Sequence, residues 1–400
     1  MHRFLARACA VAAGIALSTL GVTGANASGG GHVTIYRGAL SPVGIAAGPD
    51  GAMWFTNHGN NKVGRITITG KVTTYGDSGI WGPEGIAAGP DGNLWFTGVG
   101  NNMIGRITTT GTVKAFTGTG ISSPWRIAAG PDGAMWFTNF GSSVDSIGRI
   151  TTTGKVTTFP TTGITQASGI AAGPDGAMWF TSPNSDVIGR ITTTGTVTTF
   201  PIPGIGQFVG AGEIAAGPDG AMWFTSAANN SIGRITTTGQ VSVYTAPGIN
   251  GPGLIAAGPD GAMWFTNENG NSIGRITTTG KVTIYRAAFV TGPEGIVAGP
   301  DGAMWFSNFT TNTIGRITTG VTPEISGFSP TSGPGGTTVT ITGRNLSGAI
   351  NVEFHGTQAT VVSRTGTQII THVPDGATTG QITVTTRAGT ATSAAIFTVP

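Results

Sequence analysis

Residues 44–56 read Gly-Ile-Ala-Ala-Gly-Pro-Asp-Gly-Ala-Met-Trp-Phe-Thr, and near copies of this stretch recur through most of the chain. Each copy contains the tetrad Gly-Pro-Asp-Gly, with its Asp at positions 50, 91, 132, 175, 219, 260 and 301, so successive copies are 41 to 44 residues apart. A Trp-Phe pair follows each tetrad, and Gly-Arg-Ile-Thr follows the pair. A period of this length indicates an array of one repeated structural unit.

One repeat divides into four short strands, which in the second copy cover residues 86–88, 93–97, 104–108 and 113–116. The tetrad favours a tight turn between the first two strands, because Pro fixes φ and Gly accepts a positive φ. A Thr-Thr-Gly stretch supplies the turn before the fourth strand. Four antiparallel strands in a repeat of this length predict one blade of a β-propeller.

The strand count predicts seven blades in a closed ring. The last repeat ends at Thr319 without a fourth strand of its own. Residues 33–36 read Val-Thr-Ile-Tyr, match residues 282–285 letter for letter, and precede the first Trp-Phe pair. We therefore expect the N-terminal strand to complete the seventh blade and leave no open sheet edge. The prediction for residues 32–319 is an all-β, seven-bladed propeller.

Residues 323–400 break the period and form a separate predicted domain. The text contains Pro-Glu-Ile-Ser-Gly-Phe-Ser-Pro from position 323, then a Gly-rich turn and alternating stretches such as residues 381–385. Short strands with frequent turns predict a small immunoglobulin-like β-sandwich.

The composition excludes several classes of protein. The chain has 69 Gly and 22 Pro, and only 9% of its residues are charged, so a coiled coil is not expected. A mean hydropathy of +0.14 argues against intrinsic disorder. The formal net charge is +3 with no basic run, which argues against nucleic acid as a partner. After the N-terminal region, no stretch has the roughly 20 apolar residues of a membrane span.

Residues 1–27 have the features of a signal peptide. Arg3 and Arg7 precede an apolar stretch from Ala8 to Val22, and residues 25–27 read Ala-Asn-Ala, a typical cleavage site. We therefore expect a secreted, extracellular protein. Cleavage there removes Cys9, the one cysteine of the sequence, so no disulfide is expected in the mature protein.

The two ends of the predicted propeller differ in variability. By strand alternation, the tetrad turns and the Thr-Thr-Gly turns lie at one end, which we call the turn face; they are nearly identical in all copies. The loops before the first strands and after the Trp-Phe pairs lie at the other end, the loop face, and vary in length and residue type. Binding loops on a rigid scaffold vary in this way, so the loop face is the candidate site.

Aromatic and charged residues are concentrated in these variable loops. The aromatic residues are Trp81, Trp125, Phe140, Phe208, Phe289 and Phe309. The charged and titratable residues are His58, Glu84, Arg126, Glu213, Glu268 and Glu294. We expect a partly aromatic, partly acidic mouth over the central channel, where aromatic faces stack on a sugar ring or a cyclic ligand. The alternative is that the aromatic side chains only cover the gaps between adjacent blades.

From these sets, eight residues are predicted to bind ligand: Trp81, Glu84, Trp125, Arg126, Phe140, Glu213, Glu268 and Phe309. Glu84 and Glu294 hold equivalent positions on either side of the first blade, so they are candidate metal ligands together with Asn57 or His58. His58 is also a candidate general base. The repeated Asp and Arg are expected to be structural, with the Asp bonding its own turn and the Arg bracing neighbouring blades. No Gly-x-Ser-x-Gly motif is present.

The repeat text of residues 32–319 resembles the virginiamycin B lyase (streptogramin lyase) family. The resemblance implies a seven-bladed propeller. For the lyase branch it also implies opening of the ester of a cyclic streptogramin B antibiotic by elimination, with Mg²⁺ and a His base. That branch carries two His at the positions of Gly253 and Glu294, and two Glu at the positions of Gly292 and Phe309. None of the four matches, and Glu294 is the one catalytic candidate at an equivalent position.

The C-terminal segment resembles an IPT/TIG domain. The resemblance rests on Phe328-Ser329-Pro330, on Gly333-Pro334-Gly335-Gly336-Thr337 and on the stretch from Ile341 to Leu346. Such modules in secreted bacterial proteins act as spacers or adhesive units, which implies association with the cell wall.

Three functional hypotheses follow. The first is a non-catalytic, monomeric propeller that binds a small-molecule, glycan or cell-wall ligand at the loop face. The second is a carbon–oxygen lyase of the virginiamycin B lyase type with a non-standard site. The third is a purely structural surface protein. The sequence itself requires no cofactor, whereas the lyase hypothesis implies Mg²⁺.

Overall fold

The computed structural model describes residues 31–140, 146–161, 164–202, 212–346, 348–386 and 389–400. The predicted signal peptide and Phe208 lie outside these ranges. The described residues form 36 β-strands and two short 3₁₀ turns, His58–Asn60 and Val99–Asn101. In these ranges there is no α-helix, and no helix is long and apolar enough to cross a membrane.

Seven four-stranded antiparallel sheets form the propeller, and in six of them the strands follow chain order from the centre outwards. Blades 1 to 3 contain Pro42–Ala47, Met53–Asn57, Lys62–Ile66 and Val72–Gly76 (β2–β5), then Pro83–Ala88, Leu94–Gly98, Met103–Ile107 and Val113–Thr117 (β6–β9), then Pro124–Ala129, Met135–Asn139, Ser146–Ile150 and Val156–Pro160 (β10–β13). Blades 4 and 5 contain Ile170–Ala172, Met178–Ser182, Val187–Ile191 and Val197–Pro201 (β14–β17), then Ile214–Ala216, Met222–Ser226, Ser231–Ile235 and Val241–Thr245 (β18–β21). Blade 6 contains Pro252–Ala257, Ala262–Asn267, Ser272–Thr277 and Val282–Tyr285 (β22–β25), and blade 7 contains Pro293–Ala298, Ala303–Asn308 and Thr313–Thr318 (β26–β28).

The N-terminal strand closes the ring as predicted. Val33–Arg37 (β1) pairs antiparallel with β28, so that Val33 lies opposite Ile317 and Tyr36 lies opposite Ile314. The fourth strand of blade 7 therefore comes from the opposite end of the propeller sequence. The predicted fold class, a seven-bladed propeller followed by an immunoglobulin-like domain, is confirmed.

A buried Trp organises each blade. Its indole N–H donates to the tetrad Asp at 2.9–3.0 Å, and its ring stacks on the aromatic residue of the fourth strand. In six blades the repeated Arg donates from Nε to the same Asp at 2.6 Å. The expectation that this Arg braces neighbouring blades is therefore wrong for those six, because the Asp of its own blade is the acceptor. Within the described residues, Arg106 differs from the other six because it donates to the next blade, at the Thr152 carbonyl.

A ring of hydroxyl groups joins adjacent blades. Thr56, which follows the Trp-Phe pair, accepts a hydrogen bond from Gly44 N–H in its own blade and donates to the Glu84 carbonyl of the next blade at 2.7 Å. The equivalent hydroxyls do the same in the other blades. Ser307 completes the ring by donating to the Val43 carbonyl at 2.6 Å. The blades are thus linked by polar bonds in a chain that returns to its start.

The C-terminal domain is a sandwich of two four-stranded sheets. One sheet contains Glu324–Ser329 (β29), Thr338–Arg344 (β30), Val361–Arg364 (β33) and Gln368–His372 (β34), and the other contains Ala349–Phe354 (β31), Thr357–Gln358 (β32), Gly380–Thr386 (β35) and Gly389–Phe397 (β36). The inner faces bury one apolar cluster that includes Val339, Val352 and Phe397.

This domain packs on the turn face of blade 7. A Cβ added to Gly348 would lie 2.6 Å from the Asp301 carbonyl oxygen, so the two backbones are in close contact. The side chains of Arg316 and Asp301 are only 3% and 4% exposed, against 23% and 17% for the equivalent Arg149 and Asp132 of blade 3. The C-terminal domain therefore lies at the end of the propeller opposite the loop face.

Candidate functional site

The innermost strands crowd together around the central channel. Every first strand contacts the first strands of both neighbouring blades. A Cβ at Gly44 would lie 2.4 Å from the Glu84 carbonyl oxygen, and one at Gly85 would lie 2.9 Å from that of Trp125. The position one residue before the first-strand Ile therefore favours Gly, and it is Gly in four blades.

Arg126 and Glu213 are charged exceptions at that position, in blades 3 and 5. The sequence placed Glu84, Arg126 and Glu294 in loops, and this placement is wrong. They lie inside β6, β10 and β26, because a register shift lets each strand continue to the preceding Pro. Charged groups on rigid strands are held more precisely than groups on loops.

Four polar side chains form a continuous network on the loop face. Arg126 Nε donates to Glu213 Oε2 at 2.9 Å. Glu84 lies on the other side of the guanidinium, with its Oε2 3.8 Å from Arg126 Nη1. The second carboxylate oxygen of Glu84 lies 3.0 Å from His58 Nδ1. The network thus runs from blade 1 through blades 2 and 3 to blade 5.

Burial differs along this network. Arg126, Glu84 and Glu213 are only 6–7% exposed, whereas the His58 side chain is 42% exposed. His58 therefore forms the solvent-accessible end of an otherwise buried set of charges.

The pKa values follow from this burial and pairing. Burial raises the pKa of Glu213, against the opposing charge of Arg126. The hydrogen bond with Glu84 raises the pKa of His58, while burial acts in the opposite direction. Although burial disfavours its charge, the carboxylates of Glu213 and Glu84 raise the pKa of Arg126. The charge of Glu294 adds to the effects on His58 and Arg126, so these residues act as one electrostatic unit.

One nitrogen of this unit lacks a hydrogen-bond partner among the described residues. Arg126 Nη1 is buried, and no described residue accepts a hydrogen bond from it. A buried N–H without a partner costs roughly 1–3 kcal/mol in stability, and the cost is larger when the group is charged. A hydroxyl placed between Arg126 Nη1 and Glu84 Oε2 would accept from the first and donate to the second.

Aromatic rings lie beside the charges. The Arg126 guanidinium carbon is 5.0 Å from the centre of the Trp125 ring, and Trp125 stacks on Phe140 with ring centres 5.4 Å apart. Both rings are half-buried. Part of their surface is thus used in local packing, as expected if these rings cover gaps between blades, and part is open to solvent.

The other predicted site residues lie elsewhere on the same face. Glu268 and Phe309 hold the positions in blades 6 and 7 that correspond to His58, and their backbone N–H groups bond the loops of their own blades. Trp81 is 63% exposed. The structure therefore brings His58, Glu84, Arg126 and Glu213 into one set of contacts and leaves the ligand-binding role of all eight residues as a prediction.

Sequence reasoning missed the pairing of Arg126 with Glu213. The signal for it was present, because a charged residue replaces Gly at the same repeat position in blades 3 and 5. What the sequence lacked was the distance across the channel.

The residues of this site do not fit Mg²⁺ as arranged. Mg²⁺ requires near-octahedral oxygen ligands, but the Arg126 guanidinium binds Glu213 and faces Glu84. Across the ranges that the structure covers, no group of three or more His, Cys, Asp or Glu side chains is placed to hold a metal ion.

Comparisons with known proteins identify the propeller and the C-terminal domain. The profile of the virginiamycin B lyase family matches residues 30–210, 77–285 and 209–329. The IPT/TIG domain profile matches residues 323–399. Among curated protein sequences, none matches this chain.

Solved structures of lyases resemble the propeller. A streptogramin B lyase is 32% identical with a TM-score of 0.66, and covers 72% of this chain and 97% of its own. Virginiamycin B lyase from Staphylococcus aureus is 34% identical with a TM-score of 0.65, and covers 72% of this chain and 99% of its own. A catalytically inactive variant of that enzyme, solved with quinupristin, is 34% identical with a TM-score of 0.66, and covers 72% of this chain and 98% of its own.

Proposed function

This chain belongs to the virginiamycin B lyase family, and from that premise we propose that it is a secreted protein that binds a small cyclic ligand at the loop face without the family's catalytic residues. The binding site is the network of His58, Glu84, Arg126 and Glu213 with the aromatic wall of Trp125 and Phe140. The predicted signal peptide supports secretion.

The unsatisfied Arg126 Nη1 carries this proposal. A ligand hydroxyl that reaches Arg126 Nη1 by displacing the groups that cover it would satisfy the buried guanidinium and donate to Glu84, which favours the ligand-bound state. The ring of such a ligand would lie against Trp125, which is half-buried and contacts the Arg126 guanidinium. The relative solved with quinupristin supports a cyclic ligand of that general size.

Isothermal titration with quinupristin tests the proposal. We expect measurable binding to the wild type and at least tenfold weaker binding for Arg126→Gln or Trp125→Ala. Phe289→Ala serves as the matched control, because Phe289 is an exposed aromatic residue of the same face. Undetectable binding of quinupristin, or equal affinity in all variants, contradicts the proposal.

A second candidate function is elimination with His58 as the base. His58 Nδ1 is held by Glu84 at 3.0 Å while the ring is partly exposed, which is how a carboxylate orients a general base. In this reaction His58 Nε2 takes a proton from the carbon adjacent to the one that bears the ester oxygen. The electron pair of that C–H bond forms a C=C bond, and the C–O bond breaks to release a carboxylate.

Chromatography of quinupristin after incubation separates the two candidates. The product of elimination is an isomer of the same mass, so it is recognised by a changed retention time and fragmentation pattern. Product that disappears in His58→Gln and Glu84→Gln supports the lyase. Binding without product supports the non-catalytic proposal.

A further inference from the structure

An open pocket of about 510 Å³ lies at the rim of the loop face in blade 1. Its lining includes Asn60, Asn61, Lys62, Gly76, Asp77 and Ser78. Apart from Ile80, all lining residues are polar residues or Gly. The pocket contains none of the residues of the central network. We infer that it is a separate site that binds a saccharide ring.

The other blades serve as internal references for this pocket. The position of Lys62 is occupied elsewhere by Met103, Ser146, Val187, Ser231, Ser272 and Thr313. The position of Gly76 is occupied by Thr117, Pro160, Pro201, Thr245, Arg286 and Arg37. The position of Asp77 is occupied by Gly118, Thr161, Ile202, Ala246, Ala287 and Gly38. All three positions vary among the copies, and blade 1 departs from the other six by combining Lys, Gly and Asp there, in a chain with only 9% charged residues.

The geometry shows why the three departures belong together. A Cβ at Gly76 would lie 3.3 Å from Lys62 Cγ and Cε, tighter than ordinary packing, so Gly leaves room for the lysine side chain across the strand. Asp77 Oδ1 accepts from Gly79 N–H at 2.8 Å, which fixes the carboxylate at the pocket edge. Neither charge has an ion-pair partner among the described residues. Both are therefore available to a ligand.

The chemistry of the lining favours a polyhydroxylated ring. The ammonium and the amide groups donate, the carboxylate accepts, and each sugar hydroxyl does both. One positive and one negative charge cancel, so a neutral ligand suits the pocket better than an ion. The volume lies within the range of roughly 300–1,000 Å³ for small-ligand sites.

An exposed aromatic residue directly follows the lining residue Ile80 in the sequence. Trp81 directly follows Ile80, which lines the pocket, and its indole rests against Gly100 while 63% of the residue is exposed. The apolar face of a pyranose stacks on such a ring. Three of the six other exposed aromatic or large apolar side chains lie on the C-terminal domain, whereas Trp81 directly follows a residue of the pocket lining.

A titration with sugars tests the inference. Glucose, galactose, mannose and N-acetylglucosamine are each added to 50 mM to the full-length protein, and amide and indole NMR signals are followed. We expect at least one sugar to shift the signals of residues 76–79 and the Trp81 indole N–H. No shift at these signals with any of the four overturns the inference.

The chain supplies its own control variant. Replacing Lys62→Ser, Gly76→Thr and Asp77→Ala together restores the residues of blade 5, so the fold is expected to persist with an unchanged melting temperature. The sugar-induced changes in chemical shift should then be at least tenfold smaller, while the affinity of the network for quinupristin stays unchanged. Shifts that persist in this triple variant also overturn the inference, whatever the outcome at the central network.

Discussion

Arg126 and Glu213 form a buried ion pair between blade 3 and blade 5, with Arg126 Nε 2.9 Å from Glu213 Oε2. Blade 4 lies between them but presents Gly169 at the same repeat position, so no side chain separates the two charges. A bond that passes over one blade ties the innermost strands together across the channel. The pair therefore links the binding site to the stability of the ring.

Breaking this pair from one side should destabilise the protein strongly. Arg126→Met leaves the Glu213 carboxylate buried without its partner, which typically costs about 3–5 kcal/mol in free energy of unfolding. The double variant Arg126→Met with Glu213→Met should recover most of that loss, because two apolar side chains replace two charges. Urea unfolding measures both. Arg149→Met is the partly exposed control and should cost about 1 kcal/mol or less.

The same network predicts a pH dependence at His58. Its pKa is raised by Glu84 in the folded state, so the folded protein holds this proton more tightly than the unfolded chain does. The stabilisation is fully present below the unfolded pKa, near 6.5, and is lost as the pH rises through the folded pKa. We expect an NMR titration to give His58 a pKa above that of the urea-unfolded protein, and Glu84→Gln to bring it down. An unchanged His58 pKa in Glu84→Gln would show that the contact does not persist in solution.

The sequence predicted the fold better than the site, for physical reasons. Seven copies of one repeat predict the four-stranded blade, and the identity of residues 33–36 with residues 282–285 predicts how the ring closes. Both predictions depend only on local sequence pattern. The proximity of Glu84 and His58 could be predicted from the sequence, because adjacent blades place the two residues side by side. The contact of Arg126 with Glu213 was not, because it depends on the width of the channel.

The pocket at Lys62 and Asp77 was not predicted from the sequence, and the reason is not a distance across the channel. The residues predicted for the site are aromatic and charged residues of the loop face, whereas this pocket lies at the loop-face ends of the third and fourth strands of blade 1. Comparison of every repeat position across the seven copies would have shown its three departures. Departure from an internal repeat is therefore a more general signal than residue type.

The hydroxyl ring predicts a difference between two small substitutions. Thr97→Val removes the hydroxyl that accepts from Gly85 N–H and donates to the Trp125 carbonyl. Two buried backbone groups then lose their partner, which costs about 1–3 kcal/mol for each unsatisfied group. Thr97→Ser keeps the hydroxyl and should cost much less, as Ser307 already serves this role in blade 7. Thermal unfolding of both variants checks this, and an equal loss in the two would show that the methyl group matters rather than the hydroxyl.

The contact between the C-terminal domain and blade 7 predicts the effect of one methyl group. In Gly348→Ala the new Cβ would meet the Asp301 carbonyl oxygen at 2.6 Å, a contact with backbone that has no flexible end to move. The domain must then shift away from blade 7, which exposes Arg316 and Asp301 to water and opens the segment around Val321 to protease. Limited proteolysis of the full chain should therefore release the C-terminal domain faster than in the wild type. Gly366→Ala is the matched control, because a Cβ there meets nothing within 4 Å. Equal cleavage rates for the two variants would mean that the domain is not held by this contact, and that the burial of the Arg316–Asp301 pair has another source.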